Sequence, residues 1–560
     1  LERERGITIK MTPVTLTYHL GPSTPASPAG RYNLNLIDTP GHIDFAYEVS
    51  RALRAVEGVV LLVDASQGVE AQTLSVLSMA QELGLVIIPV VNKIDLPAAQ
   101  VDEVSKDLAA LLGVAPAEVL AVSGKTGVGV PELLMAIVER IPPPDQVSGQ
   151  VKGVRGLIFD FEYSTHQGMI VYTRVLEGSL KKGDLIRFVA AEENCVVQEV
   201  GLFQPQKMAI SVLLAGMIGY VVTGLKETGR AKVGDTLINP AVPKLPIPGY
   251  AEPKPVVWAS VYSSSQDDFT ALKQALGRLQ LSDASLSFEE ESSGVLGRGF
   301  RCGFLGLLHL EIITERLRRE FNLQLVIATP TIAYQIVDAV LGTKETITAP
   351  YLFPENLKDQ QVLEPWVEAT IIVPPTYLNG LMKLFHRHEV VLETTANFSH
   401  DRTALEVTLP LRELMRNFFD ELKSLSSGFA SLSYRLSASK PAAVVRLDVL
   451  INDELVPAFS RIVAAGRVEE EAQAVAERLK ELLPRQLIMV KIQVRALGRI
   501  LAARSISAMR KDVTDYLYGG DITRKMKLRE KQKKGKKKMQ ARGRVDIPSE
   551  VFLKMVASEK

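Results

Sequence analysis

The chain has 560 residues, of which 46% are hydrophobic and 23% are charged, and its formal net charge is only +1. Because this length exceeds what one hydrophobic core supports, we expect four or five domains. The longest near-continuous apolar run, residues 83–91, is too short to cross a bilayer, and no signal-peptide pattern is present. The two cysteines, Cys195 and Cys302, lack metal-ligand spacing, so we interpret them as buried small residues of an intracellular protein.

The first predicted elements alternate between strands and helices. A short predicted strand ends in the turn Asp38-Thr-Pro-Gly41-His42, and the two apolar runs that follow it are typical of buried parallel strands. Such alternation predicts a doubly wound α/β sheet with its ligand loops at the carboxyl ends of the strands. The predicted strands are 32–38, 58–64 and 86–92, and the predicted helices are 46–56 and 71–83.

The tetrapeptide Asn92-Lys93-Ile94-Asp95 directly follows the third of these strands. A carboxylate at this position can accept two hydrogen bonds from the N1–H and N2–H₂ edge of guanine, whereas adenine offers no such pair of donors. Asn92 can brace the loop, and the methylene stem of Lys93 can lie along the base. An ordinary turn is the alternative, but the position after a strand favours a guanine-binding loop.

Ser123-Gly124-Lys125-Thr126-Gly127 resembles the end of a phosphate-binding loop, but Val119 stands where the first glycine of that loop belongs. The segment also follows the guanine motif, whereas a phosphate loop should precede it. We therefore interpret Ser123, Gly124 and Lys125 as a second loop at the base, whose N–H groups would meet the guanine O6. No other Gly-x-x-x-x-Gly-Lys-Ser/Thr occurs in the 560 residues.

The turn at Asp38 resembles the metal-and-phosphate turn of GTPases. The resemblance implies that Asp38 holds Mg²⁺ through water, that the Gly41 N–H meets the γ-phosphate, and that His42 orients the attacking water or polarises it. A turn histidine that caps its neighbours is the alternative for His42. Arg5-Gly6-Ile7-Thr8 is similar to the switch segment in which Thr8 reaches Mg²⁺.

The phosphate loop and the strand before it are thus missing from the residues given. In GTPases this strand lies centrally in the sheet, so its absence would leave two hydrophobic strand edges unpaired. We expect that residues upstream of Leu1 were removed, and that this chain by itself is inactive.

Further along the chain, the predicted elements change character. Short β-rich runs at 153–237 predict a small β-barrel, and two β-α-β-β-α-β patterns follow as an internal repeat of ferredoxin-like type. In that repeat, His309 is expected to pack or cap, and His386, His388 and His400 are not expected to form a metal site. The predicted helices of the repeat are 267–279, 307–321, 376–388 and 412–425, and the predicted domains are 1–146, 150–240, 253–335, 362–440 and 441–560.

Taken together, these motifs resemble a translational GTPase of the elongation factor G kind. The short segment 336–362 cannot hold the domain that elongation factor G places between its ferredoxin-like units, and the tail from Gly519 resembles that of the elongation factor 4, or LepA-type, family. The implied fold is multidomain α/β and α+β: a P-loop-type GTPase domain lacking its first strand and phosphate loop, a β-barrel, two ferredoxin-like domains and a distinct C-terminal domain.

The resemblance also implies an activity and partners. It implies a monomeric, ribosome-dependent GTPase that uses GTP/GDP and Mg²⁺ and influences tRNA movement (back-translocation), fidelity or assembly. It further implies a cytoplasmic protein with a pool at the cytoplasmic face of the plasma membrane. A BipA-type ribosomal GTPase, a non-hydrolysing RNA-binding module and a peripheral membrane GTPase are the alternatives.

The basic tail distinguishes these alternatives in part. Residues 524–544 hold twelve basic residues and one acid, Glu530, a net charge of +11, so the remainder carries −10. A solvated, disordered terminus is one interpretation, but this charge density favours nucleic acid such as rRNA. Anionic lipid could also attract the tail. The Gly-Asp-Ile-Thr-Arg sequence at its start argues against the BipA type.

Overall fold

The computed structural model describes residues 4, 8–19, 30–144, 153–164, 166–226, 232–242, 245–248, 254–283, 285–293, 297–338, 342–355, 357, 360–399, 402–509, 526–527, 530–531, 545 and 547–556. The predicted switch residues Arg5, Gly6 and Ile7, the histidine His400 and nearly all of the basic tail lie outside these residues. None of the described helices is long and apolar enough to span a bilayer.

The N-terminal α/β domain contains a hairpin and a separate parallel sheet. The hairpin pairs β1 with β2 in antiparallel fashion, and the sheet has the strand order β3-β4-β5. The parallel strands alternate with helices, as predicted, although the first helix ends before residue 56 because the Ala55 N–H already closes a turn on the Ala52 carbonyl. The elements are β1 (Thr12–His19), β2 (Arg31–Asp38), α1 (Ala46–Leu53), β3 (Gly58–Asp64), α2 (Ala71–Glu82), β4 (Val86–Asn92), α3 (Val101–Leu112), β5 (Leu120–Ala121) and α4 (Val130–Arg140).

The hairpin and the parallel sheet share a core without sharing hydrogen bonds. Leu34 and Leu36 of β2 pack against the same buried cluster as Val60 of β3, yet within the described chain β2 and β3 pair only with β1 and β4 respectively. Leu62 of β3 is 54% exposed, which is unusual for a parallel strand.

A β-domain follows, with an eight-stranded antiparallel sheet and a two-stranded one. The strand order is β10-β9-β15-β6-β7-β14-β11-β12, and β8 pairs with β13. The sheets enclose one buried core that includes Phe188 and Leu213, in agreement with the β-rich domain expected here. The strands are β6 (Arg155–Ser164), β7 (Gly168–Glu177), β8 (Ser179–Lys181), β9 (Leu185–Phe188), β10 (Glu193–Val196), β11 (Glu199–Gln204), β12 (Gln206–Ile210), β13 (Val212–Leu214), β14 (Ile218–Val222) and β15 (Thr236–Ile238).

The first ferredoxin-like unit has the strand order β17-β18-β16-β19, which a β-α-β-β-α-β connection produces when both helices cover one face. Its core includes Leu276 of the first helix and Leu317 of the second. The elements are β16 (Val257–Ser263), α5 (Phe269–Gln280), β17 (Ser287–Ser293), β18 (Gly297–Phe304), α6 (Leu307–Phe321) and β19 (Leu325–Ile327), and the segment that follows contains β20 (Thr331–Ile332), β21 (Tyr334–Asp338), β22 (Lys344–Ile347) and β23 (Gln360–Glu364).

The second ferredoxin-like unit repeats this topology, with the order β25-β26-β24-β27. The single helix predicted at 412–425 is wrong: the chain forms a helical turn at Leu411–Glu413, departs from helical geometry at Arg416 and Asn417, and resumes as α8. Asn417 has φ 68°, a left-handed conformation that asparagine tolerates better than most residues. The elements are β24 (Trp366–Val373), α7 (Leu378–Arg387), β25 (Val391–Ser399), β26 (Arg402–Pro410), α8 (Phe419–Leu425) and β27 (Ser431–Leu436).

The C-terminal domain contains a sheet with the strand order β30-β29-β32-β33 and with β31 paired to β29. Its long helix covers this sheet, whereas its last helix packs mainly against β19 of the first ferredoxin-like unit. The short strand β28, which precedes this sheet, completes a separate four-stranded sheet, β22-β21-β23-β28, so the segment between the ferredoxin-like units is a structured sheet. The elements are β28 (Lys440–Pro441), β29 (Val444–Ile451), β30 (Glu454–Leu455), β31 (Arg461–Ala464), α9 (Val468–Leu482), β32 (Val490–Ala496), β33 (Arg499–Ile506) and α10 (Ser549–Val556).

Candidate functional site

The structure brings together the two loops that were predicted to bind a base. Asn92 ends β4, and its Oδ1 accepts hydrogen bonds from the N–H of Lys93 at 2.8 Å and from the N–H of Gly124 at 3.1 Å. One amide oxygen therefore ties the loop after β4 to the loop after β5. This is the bracing role that the sequence predicts for Asn92.

A serine side chain makes the second connection between these loops. Ser123 is fully buried, and its Oγ donates to Asp95 Oδ1 at 2.7 Å while accepting from the Thr126 N–H at 3.1 Å. These two bonds fix the direction of the Asp95 carboxylate, which is itself exposed. Lys125 is exposed on the same loop.

Lys93 makes a contact that the sequence did not predict. Its Nζ lies 2.7 Å from Oδ2 of Asp64, the residue that ends the neighbouring strand β3. Although partial burial would raise the pKa of Asp64, the hydrogen bonds from Lys93 and Ser66 hold it below its ordinary value. The sequence could have indicated this contact, because Asp64 ends β3 at the position where Asn92 ends β4.

The residues predicted for metal and phosphate form a second group. Thr8 Oγ1 lies 3.4 Å from Asp38 Oδ2 at the end of β2, so the switch segment and the turn after β2 meet in space. Gly41 is exposed, and a methyl group added to it would meet no atom within 4 Å. The space beside the Gly41 Cα, where a side chain would lie, is therefore open.

His42 is held by its own turn. Its Nδ1 accepts a hydrogen bond from the Asp44 N–H at 3.2 Å, and its ring packs edge-on against Phe45 with centroids 6.2 Å apart. A neutral ring whose Nδ1 accepts a hydrogen bond carries its proton on Nε2. The capping contact that was weighed as the alternative for His42 is thus present, and it leaves Nε2–H as the group available to a ligand.

The same turn touches the first ferredoxin-like unit. Asp44 Oδ2 accepts the N–H of Leu308 at 2.9 Å, in the first turn of α6, where Gly306 supplies no side-chain cap. A carboxylate at this end of a helix satisfies an unpaired donor and complements the helix dipole. The turn that holds His42 is therefore attached to a second domain.

Glu48 lies on α1, directly behind this turn. Burial raises the pKa of its carboxyl to about 7, even though Arg51 lies 3.5 Å away. Its Oε2 atom is buried without a hydrogen-bond partner, which agrees with a protonated carboxyl. The charge behind the His42 turn therefore changes near neutral pH.

Two further histidines, His309 and His388, are buried and bonded to neighbouring groups. His309 is 2% exposed, accepts the Leu305 N–H on Nδ1 at 3.1 Å and lies 2.9 Å from Asp283 on Nε2, so it packs and caps as predicted. Burial would lower the pKa of His309, but the Asp283 carboxylate outweighs it and raises that pKa. His388 is buried beside Glu413 at 2.9 Å. Within the described residues, no group of three or more ligating side chains could hold a metal.

Comparisons with known families cover most of the chain. Residues 1–143 match the Elongation factor Tu GTP binding domain, and residues 252–329 match Elongation Factor G, domain III. Residues 361–450 match the Elongation factor G C-terminus, and residues 451–557 match the GTP-binding protein LepA C-terminus.

Several similar proteins are named Elongation factor 4. The one from Rubrobacter xylanophilus is 48% identical over 554 residues, 99% of this chain and 90% of that protein. Those from Thermobifida fusca (46% over 561 residues) and Chlamydia muridarum (45% over 562 residues) align with 100% of this chain and with 90% and 92% of their own lengths.

A solved structure from Thermus thermophilus has a similar fold, with a TM-score of 0.52 and 15% identity over 79% of this chain and 90% of that one. The relatives above are far closer in sequence and are similar along nearly the whole chain, including the C-terminal region that matches LepA. The chain therefore belongs to the elongation factor 4 family of ribosome-associated translational GTPases.

Proposed function

We propose that the protein binds guanine nucleotides through Asn92, Lys93 and Asp95 on one loop and Ser123, Gly124 and Lys125 on the other. The observation that carries this proposal is the double connection between the loops, from Asn92 Oδ1 to the Gly124 N–H and from Ser123 Oγ to Asp95. It presents the Asp95 carboxylate and the loop N–H groups at one edge of the sheet. Guanine offers N–H donors to the Asp95 carboxylate and its O6 acceptor to the loop N–H groups.

Thr8, Asp38 and Gly41 are proposed to serve the phosphates and Mg²⁺. Magnesium prefers oxygen ligands and in phosphate sites takes only one or two from the protein, which fits the pair of Thr8 Oγ1 and Asp38 Oδ2 at 3.4 Å. When bound, the metal would neutralise phosphate charge. Gly41 is exposed in the turn after Asp38, and its N–H is proposed to meet the γ-phosphate.

His42 is proposed as the catalytic residue. Since its Nδ1 already accepts the Asp44 N–H, a neutral His42 would donate from Nε2–H to the attacking water or to a phosphate oxygen. Its contribution would be positioning and polarisation, in keeping with the largely electrostatic catalysis of phosphoryl transfer.

We expect His42→Ala to slow ribosome-stimulated GTP hydrolysis by about 10²-fold or more while changing nucleotide affinity little, because the interaction belongs to the transition state. His42→Gln, which keeps a donor, should retain part of the rate. Single-turnover hydrolysis on ribosomes and nucleotide titration measure the two effects. A wild-type single-turnover rate in His42→Ala would contradict the assignment.

A further prediction concerns the polypeptide of residues 1–560 taken alone. It contains no Gly-x-x-x-x-Gly-Lys-Ser/Thr, the loop that normally supplies most phosphate contacts, and β2 and β3 share a core without pairing. We expect its affinity for GTP to be weaker than micromolar and its hydrolysis to be negligible. Joining an amino-terminal segment that contains such a loop should restore tight binding. Micromolar binding by the 560-residue polypeptide would refute this proposal.

The basic tail is proposed to contact ribosomal RNA. Residues 524–544 contain no aromatic residue and would present basic side chains on every face of a helix, so sequence-independent phosphate contact is favoured over base stacking or membrane insertion. The proposed partners are therefore rRNA and ribosomal proteins, with tRNA on the ribosome. The protein is proposed to act as a monomer that influences tRNA movement, fidelity or assembly, and peripheral membrane association is a secondary role for the same charges.

Deleting residues 531–544 should weaken ribosome binding and flatten its dependence on salt. Each phosphate contact contributes about 0.7–0.9 to the slope of log affinity against log salt, so the slope should fall by several units. Co-sedimentation with ribosomes across a salt series measures this slope. A neutral glycine–serine segment of the same length is the control and should behave like the deletion. An unchanged slope would show that the tail does not touch RNA.

A further inference from the structure

A cavity of about 140 Å³ lies where three domains of the chain meet. Its walls come from the segment around β20, from the interrupted helix before α8, and from β31 with the turn into α9. The charged side chains that line it are four arginines and two glutamates: Arg412, Arg416, Arg461, Arg467, Glu413 and Glu471. This cavity is remote in sequence from every residue proposed above to bind nucleotide.

Three of the four arginines are compensated by carboxylates of the surrounding protein. Arg412 pairs with Glu364 and Glu389, Arg416 lies 3.4 Å from Glu413 and 3.3 Å from Glu471, and Arg467 lies 2.6 Å from Glu413. The two carboxylates in the wall are therefore already engaged by arginines.

Arg461 is the exception. Its guanidinium forms no ion pair or hydrogen bond with any other described residue, and its Nε and Nη2 atoms are buried without a partner. Burial lowers the pKa of Arg461 and Arg478 adds to this effect, with only Glu471 opposing it. Buried guanidinium N–H donors without an acceptor are unfavourable, so Arg461 itself lacks a compensating negative charge.

The size of the cavity limits what could supply that charge. A water molecule occupies about 30 Å³ of liquid, so the cavity holds roughly four or five waters. This is room for a tetrahedral oxyanion. Guanidinium groups bind phosphate oxygens through paired N–H donors, which a more strongly hydrated ammonium does not reproduce.

We propose that this three-domain cavity is an anion site that takes a phosphate group, with Arg461 as its principal ligand and Arg416 and Arg467 beside it. A bound phosphate would compensate the one unpaired guanidinium and join the first ferredoxin-like unit, the second unit and the C-terminal domain. The phosphate could be free inorganic phosphate or a phosphodiester of RNA, because both present the same oxygens.

The first test measures binding of inorganic phosphate to the 560-residue protein by equilibrium dialysis, with chloride holding the ionic strength constant. We expect saturable binding that becomes at least tenfold weaker in Arg461→Leu. Arg435→Leu is the matched control, since Arg435 is exposed, pairs with Glu368 and should leave binding unchanged. Phosphate that binds elsewhere should bind equally to the wild type and to both variants, so it cancels when the three proteins are compared. Equal binding by Arg461→Leu and the wild type would overturn the proposal.

A second measurement uses the unaltered protein and therefore does not depend on whether a variant folds. Crystals of the unaltered protein soaked in selenate should show an anomalous peak within hydrogen-bond distance of Arg461, and an empty cavity at saturating selenate would overturn the proposal. A competition experiment then shows whether the natural ligand is free phosphate or a phosphodiester of RNA. Displacement of bound phosphate by a short single-stranded RNA supports a phosphodiester ligand, and retention of phosphate supports the free ion.

Discussion

Replacing Glu413 by glutamine is expected to lower the free energy of unfolding of the second ferredoxin-like unit by about 3–5 kcal/mol at pH 7, because it removes one partner of a buried ionic network. Glu413 is 1% exposed and contacts the side chains of four residues. These are His388 at 2.9 Å, Arg467 at 2.6 Å, Arg412 at 3.4 Å and Arg416 at 3.4 Å. Without the carboxylate, the three arginines would lose the anion they share.

The pH dependence of this effect has a definite sign. Burial would raise the pKa of Glu413, but the His388 hydrogen bond and the neighbouring arginines outweigh it and lower that pKa. A carboxyl with a lowered pKa in the folded state contributes stability above its unfolded pKa and loses it as the pH falls through the folded value. The difference between wild type and Glu413→Gln should therefore be constant near neutral pH and shrink in acid.

Urea unfolding followed by the fluorescence of Trp366, which lies in the same unit, measures this difference. Trp258, the other tryptophan, is replaced by phenylalanine in both proteins to isolate the signal. Glu368→Gln is the control, because Glu368 pairs with the exposed Arg435 on the surface and should change stability little. A difference between Glu413→Gln and wild type that persists unchanged into acid would contradict the assigned role of the charge.

The second large effect concerns base recognition. In a form of the protein that binds GTP tightly, Asp95→Asn should weaken GTP binding by about 3–5 kcal/mol, since two hydrogen bonds to a carboxylate contribute roughly 1.5–3 kcal/mol each. The NH₂ group of the asparagine would then face the guanine amino group, and both are hydrogen-bond donors. Xanthine has an acceptor in that place, so affinity for xanthosine triphosphate should rise.

Competition titrations with both nucleotides measure this change of preference. Asp102→Asn provides the matched control, because Asp102 is an exposed aspartate in the first turn of α3 and has no proposed part in binding. Unchanged GTP affinity in Asp95→Asn would show that another residue reads the base. The bond from Ser123 to Asp95 is compatible with either side chain, since the asparagine oxygen can also accept it.

Local sequence was sufficient to predict the features that depend on residues adjacent in the chain. The strand ending at Asn92 and the turn after Asp38 were predictable because an apolar run followed by a polar turn specifies a buried strand and its loop. The βαββαβ repeat was predictable for the same reason. The helix through Asn417 was predicted wrongly, because helical periodicity continues across a residue whose backbone adopts positive φ.

Contacts between distant segments were not predictable from such patterns. Lys93 pairs with Asp64, and the carboxylate of Glu413 contacts His388 and Arg467, which lie in other segments of the chain. Nothing in the local spacing of these residues distinguishes a buried network from an ordinary charged surface. The sheet formed by β21, β22 and β23 escaped prediction for a similar reason, since its strands are short and β23 pairs with β28 far along the chain.

The hydrogen bond from Leu308 to Asp44 has a thermodynamic consequence. If nucleotide exchange shifts the turn that carries His42, the cap of α6 must either move with it or break, so the two domains cannot change independently. Coupling free energies are reciprocal. Under that condition, a ribosomal contact that displaces α6 would alter nucleotide affinity by the same factor by which nucleotide alters that contact.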